Sequence, residues 1–165
     1  MREGIGVCAS VITALVFAAT AVPQGRIGDL RSRFDMETNP IRKARLMPDL
    51  GDAEFREIAR DVEAQRIADA LAMLQRYRDQ ARVCTKGLDG FRIDAENHPN
   101  GFKQLQISLA ESIRRLDALL VSMTGDEQAP FRDVRKDLSD MNNHLIEELF
   151  PRPPEKKSKS AAPVP

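Results

Sequence analysis

Between Phe55 and Phe91 apolar side chains return every three or four positions, and the one place where that return falters decides how the chain can fold. Phe55, Ile58, Ala59 and Val62 share one helical face. Ala70, Leu71, Leu74, Tyr77, Ala81, Cys84, Leu88 and Phe91 share another at the same period. At about 100° per residue the stripe swings by roughly a quarter turn between Val62 and Ile67, and Arg66 stands where an apolar residue is due. Two solutions follow. A turn at Ala64 to Arg66 makes two antiparallel helices and puts Asp69 in the first turn of the second, where its charge suits the dipole. An unbroken helix from Asp52 past Cys84 would instead be ~50 Å long and carry a charge mid-stripe. Phe55, Ile58 and Val62 would then project beyond the shorter helices as a candidate partner face or dimer seam. The phase slip favours the turn, against which stands the lack of Gly, Pro or Asn at Glu63 to Arg66.

The remaining elements follow from caps and breakers. Asn39 before Pro40 starts a short helix, since the amide can cap and the proline sits where its missing N–H costs nothing. Pro48 and Gly51 end it after about Met47, and Asp52 caps the next helix, which runs to about Glu63. The helix from Ile67 is expected to pass through Gly87 and Gly90 to about Asp94, because Leu88 and Phe91 stay in phase. The turn formers Asn97-His98-Pro99-Asn100-Gly101 close that connection. Phe102, Leu105, Leu109, Ile113, Leu116, Leu120 and Met123 recur without a miss, which places Leu109, Ile113 and Leu116 at the centre of the core. Thr124-Gly125-Asp126 ends that helix, and Pro130 opens a last one carrying Phe131, Val134, Leu138, Met141, Leu145 and Leu149. The fold expected is all-α: an up-down helical bundle of three to four long antiparallel helices plus a short N-terminal helix.

Ahead of this domain, Ile5 to Val22 is almost uncharged and ends in Ala19-Thr20-Ala21, the small-residue spacing a signal peptidase reads. The chain then divides into a signal peptide over 1–21, a flexible leader over 22–38, a helical domain over 39–150 and a disordered tail over 151–165. An uncleaved anchor is the alternative for the first segment, since its run approaches the ~20 residues that span a bilayer. Cleavage would leave an extracytoplasmic protein, periplasmic or secreted, with no membrane span, because the other helices are amphipathic. It would also leave Cys84 as the sole cysteine, so no intramolecular disulfide can form, and its place on the stripe makes it a core residue.

Lys plus Arg equals Asp plus Glu at 25 each, so no field draws nucleic acid. His98 lies among turn formers, and Pro99 stands where a calcium loop needs glycine. His144 falls off the apolar stripe with Glu147 on its face, the pattern of an exposed pair. Glu147 and Glu148 are adjacent and so point apart. No haem-attachment, phosphate-loop, dinucleotide or nucleophile-elbow motif occurs. These readings give no catalytic residue, no metal ligand and no cofactor. They leave a non-enzymatic extracytoplasmic interaction or scaffold domain whose partner is another protein, with homodimerisation open. The alternative is a helical bundle that binds a metal ion or small ligand. The hairpin from Asp52 to Tyr77, with Ala70 and Leu71 at small and large packing positions, resembles the paired helices of a tetratricopeptide unit. It covers about a sixth of the chain, without the Trp and Pro signatures or a second copy 34 residues on. That resemblance implies a packing mode. The whole resembles exported bacterial helical proteins of unassigned function, which adds no site.

Overall fold

The computed structural model describes residues 24–91 and 95–151, and the expected signal peptide and all but the first residue of the expected tail lie outside them. Among the described residues there are five helices and no strand: α1 Gln24–Met36, α2 Pro40–Glu63, α3 Ile67–Gly90, α4 Phe102–Ser122 and α5 Gly125–Leu149. No helix described is long and apolar enough to cross a membrane. In this helical bundle α2 packs on α3 and α4, α5 packs on the same two, and α1 lies on α2 alone. The Leu-rich stripes meet in one core that includes Leu74, Leu105, Leu109, Leu116, Leu138 and Leu145.

The chain turns at Gln65, which answers the phase slip. Gln65 takes φ of 58°, its N–H donates to the Val62 carbonyl at 3.0 Å, and the Arg66 N–H donates to the Asp61 carbonyl at 2.7 Å. That pair of bonds is a Schellman end, with glutamine in the left-handed position that glycine normally fills. Such ends commonly add an apolar contact between the residue two past the cap and the third from last of the helix. Here an ion pair replaces it. Arg66 Nε donates to the buried carboxylate of Asp61 at 3.0 Å, so the charge that interrupts the stripe fastens the turn that the interruption signals. Phe55, Ile58 and Val62 are consequently buried, Phe55 edge-on to Tyr77 at 5.3 Å between centroids. They form core, not a partner face.

Four boundaries differ from expectation. The segment read as a flexible leader contains α1, which seats Leu30 and Phe34 in the core. The short helix from Pro40 and the one from Asp52 are a single helix, α2, with Pro48 inside it. Asn39 does cap it, accepting from the Arg42 N–H at 3.1 Å. Gly51 is no breaker: a Cβ there would lie 3.1 Å from the Tyr77 ring, so its missing side chain is what lets α2 and α3 approach. The third helix passes Gly87 but stops at Gly90, leaving Phe91 half exposed rather than on the stripe, and residues 92–94 lie outside the description. The last helix starts five residues before Pro130, because Glu127 reaches back to accept from the Thr124 N–H at 3.1 Å and fixes the first turn there.

Within α4 the stripe is buried except Ile113, which is only partly covered, while Ser108 and Ser112 are buried instead. Both serines face Tyr77, whose hydroxyl lies 2.7 Å from Ser112 Oγ and 3.3 Å from Ser108 Oγ. Gly101 opens α4 with φ of 92°, its Cα side pressed against Ile41 and Leu88, so a side chain there would be strained and crowded at once.

Candidate functional site

One groove of about 720 Å³ runs between α1 and α3. Its α3 wall is Ala72, Gln75, Arg76, Asp79, Gln80 and Val83, alternating steps of three and one, which is one face of a helix followed for three turns. Arg31, Phe34 and Asp35 come from α1, and Lys43 from α2. Val83 is half exposed although apolar, and the Lys43 ammonium stands 4.9 Å over the Phe34 ring.

Beside this groove lies Glu54, with 0% of its surface exposed. Arg31 Nε donates to its Oε1 at 2.7 Å, so α1 supplies the counter-charge of a carboxylate buried on α2. Burial pushes the Glu54 pKa up, against the pull of Arg31 and Arg76. Three polar atoms are buried here without a hydrogen-bond partner: Glu54 Oε2, Arg31 Nη2 and Gln80 Oε1.

The charged side chains lining the groove form no ion pairs with one another. Asp79 is engaged by Arg78 at 2.9 Å and Arg82 at 3.2 Å, both on its own helix. Arg76 and Lys43 form no ion pair with a described carboxylate, although Arg76 acts through space on Glu54 and Asp35 shares the groove with both. Two other clefts hold more of their charge in pairs, although Arg132 in the first bonds only the Gln128 side chain. Along α4 and α5, Arg135 holds Asp117 at 2.9 Å and Lys136 holds Asp140 at 2.8 Å. Between α2 and α4 a smaller cleft of about 130 Å³ has Arg115 fastened to Asp52 and Glu111 at its mouth. The hydrogen bonds from Arg115 and Arg135 hold the Asp52 and Asp117 carboxyls below the usual carboxylate range.

Compared with known proteins, the chain matches no family model, no curated protein and no solved structure. The reading of the site therefore rests on its own chemistry.

The reactive side chains of the described residues are placed as follows. Burial pushes the Cys84 thiol up to about 12, and Tyr77 is likewise raised, so neither ionises near neutrality. The Ser108 and Ser112 hydroxyls are tied to Tyr77. His98 is exposed in its turn, and His144 Nε2 contacts Asp89 Oδ1 on α3 at 2.9 Å rather than Glu147. No group of three or more His, Cys, Asp or Glu that could hold a metal ion occurs among the described residues. Arg31 and Glu54 were invisible to periodicity because the glycines of α1 dilute its stripe. The one signal was Ile27, Leu30 and Phe34 at three-and-four spacing.

Proposed function

We propose that this chain is a non-enzymatic interaction domain of the extracytoplasmic space that presents the α1–α3 groove to another protein. In this reading α2 to α5 form an up-down antiparallel array and α1 is laid on α2 as one wall of the groove. The observation that carries it is that Arg76 and Lys43, neither within ion-pair distance of a described carboxylate, line the groove beside apolar Ala72 and half-exposed Val83. A cleft whose cations already hold their own carboxylates gains little from an outside charge. One that is left positive gains complementarity and orientation from a partner. The location rests on the uncharged run from Ile5 to Val22 and the Ala19-Thr20-Ala21 near its end.

A photo-crosslinking residue in place of Val83, with one in place of the exposed Val121 on α4 as control, tests this in cells. The expected result is a discrete adduct with a second polypeptide from position 83 and none from position 121. Identical adducts from both positions, or none from 83, would remove the groove as the interface. Recovery of the chain only from the cytoplasm would remove the location.

A further inference from the structure

We infer that the groove takes an acidic helical segment of the partner, about three turns long, whose carboxylates pair with Arg76 and Lys43. The inference rests on the interaction reading above and names the chemistry of the occupant. Three observations support it together. The α3 wall from Ala72 to Val83 spans eleven helical steps, ~16 Å at 1.5 Å per residue, which is the length of a three-turn helix and longer than a compact metabolite needs. Its apolar members stand at the two ends, Ala72 and Val83, so the occupant meets apolar contacts separated by polar ones. An amphipathic helix laid lengthwise presents its side chains at this spacing.

Charge selects the sign. Arg76 is exposed and Lys43 half-buried, neither is within ion-pair distance of a described carboxylate, and Asp79 already pairs with Arg78 and Arg82, which also reach Asp137, so exposed Asp35 is the wall carboxylate left to oppose them. A segment bearing Asp or Glu supplies what these cations lack, whereas a basic segment would meet like charge at both positions.

The test uses two helix-forming peptides of about twelve residues, ~18 Å long. One carries Glu on its polar face, and the other carries Gln at the same positions. Backbone amide shifts of the labelled chain are followed on titration. The Glu peptide should move amides in Ala72–Val83 and Arg31–Asp35. It should bind about tenfold more tightly than the Gln peptide and lose that margin at roughly 0.5 M salt, where the Debye length is ~4 Å. The double variant K43E/R76E, checked for native helix content, should reverse the preference in favour of a Lys-bearing peptide. Arg31 is left intact, since removing it strands Glu54. Equal binding of the Glu and Gln peptides in the groove, or unchanged affinity in the double variant, would overturn the carboxylate inference and leave the docking reading standing. Groove amides unmoved by either peptide would overturn both. Octanoate moving those amides where the Glu peptide does not would assign the groove to a small carboxylate and overturn the partner segment.

Discussion

Replacing Gln65 with Gly should make the protein more stable, although it deletes a side chain. Gln65 holds φ of 58°, in the left-handed region where a Cβ crowds the following carbonyl at a cost of ~1–2 kcal/mol. Its side chain returns little, since Nε2 reaches the Val62 carbonyl only at 3.4 Å and the residue is exposed. Glycine removes the crowding but widens the unfolded ensemble, an opposing ~0.4–1 kcal/mol. The balance is a gain of roughly 0.5–1 kcal/mol, which for a domain of this size raises the thermal midpoint by ~2–5 °C. Glycine one position earlier gives the opposite result. Ala64 has φ of −83°, so Ala64→Gly relieves nothing and should lower the midpoint. Circular dichroism melts of both variants beside the parent decide the matter. A lower midpoint for Gln65→Gly would show that residue 65 is not left-handed and that the hairpin is closed in some other way.

Three further outcomes are expected. Tyr77→Phe leaves the buried Ser108 and Ser112 hydroxyls without their shared partner and should cost ~1–3 kcal/mol by urea unfolding, while adding Ser108→Ala and Ser112→Ala should recover most of the loss. A triple variant no better than the single one would refute the assigned bonds. Asp52 and Asp117 have depressed folded-state pKa values, so their ion pairs stabilise fully above the ordinary value of 3.8 and lose that contribution as pH falls through the lowered values. Asp52→Asn and Asp117→Asn should therefore reduce the midpoint at pH 7 and matter progressively less in acid; a decrement independent of pH would contradict this. Leu109→Ala should cost ~2–5 kcal/mol and Ile113→Ala distinctly less, because only the first is fully buried; equal losses would place Ile113 in the core centre after all.

Legibility of this fold in its sequence tracked how local each cause was. The α4 stripe, the Asn39 cap and the turn at Gln65 are each set by residues within a few positions of one another, and each was readable. The continuity of α2 was not. Gly51 looks like a breaker until Tyr77, 26 positions later, is seen to need the space. Pro130 looked like a start, but the reach of Glu127 back to Thr124 outranks it. The candidate groove was hidden for a similar reason: Arg31 and Glu54 lie 23 positions apart on helices of which only one was expected. Net charge concealed it too, since a balanced total says nothing about which cations hold carboxylates.

Tyr77 is the chain's single tyrosine, and tryptophan is absent. Its ring is wedged between Gly51 on α2 and the serines of α4, so every near-ultraviolet signal above the phenylalanine range originates at that junction. The native protein thus carries its own optical reporter, one that needs no label. Second-derivative absorbance should register the moment the phenol meets water, and comparing that trace with far-ultraviolet ellipticity would reveal whether α2, α3 and α4 separate before their helices melt.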